Sequence, residues 1–148
     1  LNIEANGKAA ALVPQKEKNR YEILPMSNTT NIPIRKYDIH ERIYKFVVEV
    51  IKLVNSLPKT ESNIVIIRQI LRSVTSMGAN DQEADGTLTK KDFLHTYTIV
   101  RKEGKETNFW LSLISDTNLT IKIRSDKLLS EGKEIVLILS SIINKTRK

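Results

Sequence analysis

The stretch from Asp38 to Ser56, DIHERIYKFVVEVIKLVNS, decides the fold. Ile39, Ile43, Phe46, Val47, Val50, Ile51 and Val54 recur at steps of three and four, while Glu41, Arg42, Lys45, Glu49 and Lys52 fall between them. Apolar residues at that step share one side of a helix with 3.6 residues per turn, so the stretch predicts an amphipathic helix with one buried face. Asp38 stands where an N-cap carboxylate takes a free amide of the first turn. Leu57-Pro58 closes the helix, because proline pushes the residue before it out of helical geometry.

Outward from this stretch the same period returns three more times. A second helix is predicted from near Ser62 to Asp85, with Ile64, Ile67, Leu71, Val74 and Gly78 on one face and Gly86 closing it. Thr89 with Asp92 three residues on reads as a capping box, opening a third helix whose stripe is Phe93, Tyr97, Val100, Gly104, Thr107, Trp110 with Leu111, and Ile114. The fourth is expected from around Ser125 or Asp126, with Leu128, Leu129, Gly132, Ile135, Val136, Leu139, Ile142 and Ile143 inward, fraying at Lys145 to Lys148. Helices of about 20 residues are roughly 30 Å long, and such short connections force antiparallel neighbours. The expectation is an all-α, antiparallel up-down-up-down four-helix bundle.

Val65, Ile66 and Ile70 in the second helix, with Leu137 and Ile138 in the fourth, fall off these stripes. A long apolar strip outside the core predicts a subunit interface and a homo-oligomer, unless these residues only widen the core stripe. Gly78, Gly104 and Gly132 sit inside helices, where glycine costs about 1 kcal/mol relative to alanine. Close approach of two helix backbones is the expected reason. Trp110 is expected to anchor the core.

The chain has 148 residues, enough for one domain with a real core and too few for two ordinary ones. Residues 1–36 hold three of the four prolines and no sustained period, so they read as a polar tail or linker before a bundle domain at 37–148. The chain starts at Leu1 without methionine, which reads as a processed or truncated start with part of the first 20 residues foreign to the natural protein. No cysteine is present, which removes disulfides, thiolate nucleophiles and zinc-thiolate sites, and fits a reducing compartment. No apolar run approaches the roughly 20 residues of a membrane span. With no secretion signal either, a soluble, cytoplasmic protein is expected.

Chemistry-bearing patterns are sparse. A carboxylate-bridged di-metal bundle needs four carboxylates and two Glu-x-x-His motifs, and neither motif occurs; Asp92 and His95 supply a single pair, and His40 has no nearby ligand set in the sequence. No phosphate-binding glycine loop or nucleophile elbow appears. A non-enzyme without cofactor, metal or catalytic residues is the expectation. Arg72, Asn80, Glu83, Glu103 and Glu106 are expected to form interhelical hydrogen bonds and ion pairs that fix register or subunit contact.

Taken in order, Tyr37-Asp38, Leu57-Pro58-Lys59-Thr60, Arg72-Ser73 with Ser76-Met77-Gly78-Ala79-Asn80 and Glu83-Ala84, Lys90-Lys91-Asp92-Phe93, then Lys102-Glu103, Glu106-Thr107 and Trp110-Leu111 resemble the 23S rRNA intervening-sequence protein family. The resemblance covers residues 37 to about 145. Val100 and Gly104 depart from the small or alanine-like residues of the family pattern, and the N-terminal extension is long for it. The resemblance implies a homopentameric barrel of bundles, similar to the accessory variability determinant protein of diversity-generating retroelements, which binds nucleic acid and a reverse transcriptase. The family is named for where its genes lie, and its name is no evidence that this chain binds ribosomal RNA.

Formal net charge is +7, from six cations against three acids in residues 1–36 and 18 against 14 in residues 37–148. The folded part is only mildly basic, so placement matters more than the sum. Arg68 and Arg72 lie one turn apart, Lys90 and Lys91 open the third helix, and Arg101 and Lys105 are again one turn apart with Lys102 beside them. These seven are the candidate nucleic-acid-binding residues, contacting DNA or RNA phosphates by shape and charge, with a five-fold ring repeating each cluster. Few aromatics are available for stacking, which argues against a single-strand platform. The competing expectation is a scaffold that docks a protein, such as a reverse transcriptase or another nucleic-acid enzyme, without touching nucleic acid itself. Lys102 and Glu106 also form an i,i+4 pair, which can simply solvate a helix face.

Overall fold

A computed structural model describes residues 38–148 of the chain. The segment 1–36, expected as a polar tail, and Tyr37 lie outside the described residues. Four helices follow: α1 (Ile39–Asn55), α2 (Glu61–Asp85), α3 (Lys90–Thr117) and α4 (Lys122–Arg147), with a short 3₁₀ turn, Leu119–Ile121, leading into α4. Among the described residues there is no strand. None of the helices is long and apolar enough to cross a membrane.

Side chains fix three of the four helix starts. Asp38 Oδ1 accepts from the His40 amide at 2.9 Å, Thr60 Oγ1 from the Asn63 amide at 3.2 Å, and Thr89 Oγ1 from the Asp92 amide at 3.1 Å. Each satisfies an amide that the first turn leaves without an intrahelical acceptor. Thr60 as cap sets the α2 start at Glu61, one residue before the expected Ser62. α4 differs more, beginning at Lys122 rather than at Ser125 or Asp126. Those two polar residues look like caps in the sequence but point at α3 instead: Ser125 Oγ donates to the Leu111 carbonyl at 2.9 Å, and Ser115 Oγ donates to Asp126 Oδ1.

The helices close a ring in which α1 packs on α2 and α4, and α3 on α2 and α4, while the diagonal pairs stay apart. Direction follows from which ends meet. His40 at the start of α1 reaches Asp81 near the end of α2, Asn63 at the start of α2 reaches Asn118 just past α3, and Ser115 near the end of α3 reaches Asp126 early in α4. Arg124 of α4 meets Ser56 at the end of α1. Every neighbouring pair is therefore antiparallel, and the fold is an up-down-up-down four-helix bundle.

Ile43, Phe46, Val50 and Leu53 of α1 meet Ile70, Val74 and Met77 of α2, Tyr97, Val100, Leu111 and Ile114 of α3, and Ile135, Leu139 and Ile143 of α4 in one buried cluster. The α2 stripe expected from the sequence is rotated. Ile66 and Ile70, read there as surplus, are in the core, whereas Ile64 is exposed and Ile67 and Leu71 are only partly buried. The true stripe also contains the buried polar residues Asn63, Ser73 and Asp81, and an apolar-only count skips them. Val65 and Leu137 remain exposed, as the surplus reading has it, and Ile138 is half-buried. Trp110 packs against the core from its edge and Leu111 takes the central position.

All three helix glycines sit at a close approach, with a Cβ on Gly78 3.1 Å from Val47. A Cβ on Gly104 would lie 3.1 Å from Val136 and 3.3 Å from Met77, and one on Gly132 would lie 2.0 Å from Asn108 Oδ1 and 2.9 Å from Phe46. α1, α3 and α4 thus pinch together at Gly132, where any side chain displaces an aromatic ring and an amide. We expect Gly132→Ala to cost about 1–3 kcal/mol, the usual penalty of overpacking, read as a lower urea midpoint. The corrected α2 stripe has its own test in the same assay. Ile70→Ala should cost about 2–5 kcal/mol, and Ile64→Ala a small fraction of that.

Candidate nucleic-acid interface

The seven cations singled out by sequence lie at the surface, Arg101 half-buried and the other six exposed. Among the described residues, none of them is in an ion pair, and the expected Lys102–Glu106 pair is not formed. Glu106 instead accepts from the Trp110 indole N–H at 3.4 Å.

They do not form one patch. Asn108 of α3 is in contact with the Gly132 position of α4, so the residues three and seven before it, Lys105 and Arg101, lie along the α3–α4 seam. Lys90 stands eleven residues, about three turns, before Arg101 on that same side. Lys102 and Lys91 face outward on α3. Arg68 and Arg72 lie on α2 opposite its buried Ile66, Ile70 and Val74, and form a separate pair.

Lys133 and Arg147 were missed by sequence reasoning. Lys133 lies three residues before Val136, whose side chain abuts Gly104 of α3, and Arg147 lies one turn after the buried Ile143. Both are exposed on the α4 side of the seam. The helix pairing that puts them there, with Gly104 opposite Val136 and Gly132 opposite Asn108, was not available from one-dimensional periodicity.

The α4 carboxylates near the seam are already occupied, whereas Asp85 lines one cleft with Lys90 without an ion pair among the described residues. Arg42 Nε and Nη2 donate to Glu131 at 2.5 and 2.8 Å, and Nη2 also reaches Glu134 at 2.5 Å, which turns both acids toward α1. The Arg42 hydrogen bonds hold the Glu131 carboxyl below the usual range, and the two acids raise the guanidinium in turn. At the other end of the seam, Ser115 and Lys122 hold the Asp126 carboxyl low. On α3, Glu103 falls on the α2 side, one turn before the Thr107 that meets Ser73, and Glu106 faces outward, one turn after Lys102.

The expected interhelical role of Arg72, Asn80, Glu83, Glu103 and Glu106 is not what ties this chain together. Among the described residues they make no hydrogen bond or ion pair between helices, and Asn80 donates within α2 to the Ser76 carbonyl at 2.8 Å. The cross-links are elsewhere. Asp81 is fully buried, receives Tyr97 Oη at 3.3 Å and lies 3.0 Å from His40 Nδ1, so His40 has a partner that its sequence neighbourhood hides. Burial and the Asp81 charge push the Tyr97 hydroxyl up, which keeps it a neutral donor. Ser73 and Thr107 pair at 2.9 Å between α2 and α3, and Asn63 and Asn118 pair through their amides at 2.9 and 3.1 Å. Among the described residues no three His, Asp or Glu side chains converge as metal ligands.

Comparison with known proteins places this geometry. The family model described as 23S rRNA-intervening sequence protein matches residues 35–141. The chain is also similar to a crystal structure from Bacteroides thetaiotaomicron, described as a protein with unknown function from the S23 ribosomal protein family. The two are 32% identical with a TM-score of 0.66, over 72% of this chain and 98% of that one. No curated protein matches the chain.

The Arg42 clamp has a defined pH signature. A glutamate whose folded value is depressed adds stability that is present above its unfolded value of about 4.3 and is lost as pH falls through the folded value. Glu131→Gln should therefore lower the urea midpoint at neutral pH and flatten its fall on acidification, relative to the unmodified chain. An acid limb unchanged by the substitution would remove Glu131 from the account.

Proposed function

The chain belongs to the 23S rRNA-intervening sequence protein family, and we propose that it acts as a non-catalytic, oligomeric four-helix bundle that binds nucleic acid through a basic surface. The observation that carries this reading is the set of surface cations on α2 and α3, Arg68, Arg72, Lys90, Lys91, Arg101, Lys102 and Lys105, that are free of ion pairs among the described residues. An unpaired surface ammonium or guanidinium exchanges its counterions for phosphates at little cost, which is the main source of sequence-independent affinity. Assembly strengthens the effect. In a homopentamer each cluster is repeated five times, and a modest surplus per chain becomes a broad positive field. Such a ring suits an accessory factor of a reverse transcriptase or other nucleic-acid enzyme, in which the bundle holds the template and the enzyme performs the chemistry.

A protein-docking scaffold is the second reading. Val65 and Leu137, 58% and 70% exposed on different helices, favour it, since outward aliphatic side chains gain most from covering by protein. The two readings separate by salt dependence.

Light scattering of the purified chain should give a mass near five subunits. The same sample should bind labelled duplex and labelled RNA with an affinity that falls steeply with salt. Replacing Arg101 and Lys105 together by alanine should weaken binding to all sequences and reduce the logarithmic salt slope by about 0.9 per lost phosphate contact on duplex. A pentamer that binds neither nucleic acid leaves the scaffold reading in its place.

A further inference from the structure

Resting on the nucleic-acid reading above, the geometry points to a narrower assignment: the α3–α4 seam is a track for single-stranded nucleic acid, with Phe109 as the stacking ring for an unpaired base. Charge segregation marks the track. From Lys133 to Arg147, about 20 Å of helix at 1.5 Å per residue, Lys90, Arg101 and Lys105 of α3 run beside Lys133 and Arg147 of α4. Glu131 and Glu134 are drawn away by Arg42, and Asp126 is held by Lys122 and Ser115 beyond the seam's end. A row of one sign, spaced by helical turns, follows a phosphate backbone.

Phe109 supplies what a purely electrostatic surface lacks. It lies one turn after Lys105 and two turns after Lys102, on the outward edge of the seam next to the Asn108 that meets Gly132, and is 55% exposed although the core takes every other phenylalanine wholly or in part. Its ring is not loose. It stands at 69° to Trp110 with centroids 4.9 Å apart, and Trp110 is itself packed on the core. A ring pre-set in this way stacks a base with little loss of side-chain entropy, and every base offers a face to it. Base pairs in a duplex are already stacked and closed to such a ring, so the arrangement discriminates by strandedness and not by sequence.

The test uses the full chain with a labelled oligouridylate, which has no secondary structure, and a labelled duplex of equal length. Phe109→Ala should weaken oligouridylate binding by roughly tenfold or more, the usual effect of losing one stacked base, with duplex binding and solution mass unchanged. Phe109→Trp should restore it. Lys133→Ala with Arg147→Ala should weaken both ligands and lower the salt slope. Equal weakening of both ligands by Phe109→Ala would overturn the stacking assignment while leaving the basic surface intact. Unchanged binding with a reduced mass would overturn it in favour of a subunit contact at Phe109. Failure of the unmodified chain to bind either ligand would overturn the parent reading as well.

Discussion

A fully buried carboxylate sets the terms for this bundle. Asp81 has no exposed surface, and its two oxygens are met by His40 from α1 and Tyr97 from α3. Apolar stripes alone tolerate sliding by a turn, because one branched aliphatic side chain replaces another at modest cost. A buried carboxyl group does not tolerate it, since any shift that strips its hydrogen-bond partners leaves a buried polar group unsatisfied, at a cost of about 1–3 kcal/mol or more. Asp81 therefore pins three helices at one end of the bundle. The Asn63–Asn118 pair does the same for α2 and the end of α3 at the other. The basic seam inherits its register from these contacts, because Arg101 and Lys105 sit beside α4 only when α3 is held at this height.

Sequence periodicity revealed the number of helices, their order and most of their ends, because these follow from local chemistry: Asp38, Thr89 and Gly86 act within a turn of themselves. It misjudged the face of α2, and for a physical reason. That helix buries Asn63, Ser73 and Asp81 along with its aliphatics, so three of its eight buried residues are polar and the neighbouring stripe of Ile64, Ile67 and Leu71 looks more apolar than the real one. The same blindness hid the partner of His40, which lies 41 residues away along the chain. Ser125 and Asp126 were legible as polar residues at a helix start but not as residues turned toward α3. Of the candidate interface, cations one turn apart on a single helix were legible. Lys133 and Arg147 were not, because their relation to α3 exists only after helices pair.

What the surface can do follows from how its charges are divided. Glu131, Glu134 and Asp126 of α4 are bound to arginine or lysine, so a folded part with a surplus of only four cations leaves Arg101, Lys105, Lys133 and Arg147 without an ion pair along the α3–α4 seam. Net charge is a poor guide to such a protein. A carboxylate that accepts two guanidinium bonds at 2.5 and 2.8 Å no longer cancels a lysine two turns away as an isolated charge would.

An even number of antiparallel helices also brings the described chain back to where it started. His40, in the first turn of α1, and Thr146, in the last turn of α4, line the same shallow cleft, together with Lys90 and Phe93 at the start of α3. Entry and exit are thus neighbours at one end of the rod, and a few added residues suffice to join them. The exposed residues Leu119 and Thr120 at the opposite end then become new termini that spare the Asn63–Asn118 pair, so the bundle is suited to circular permutation there.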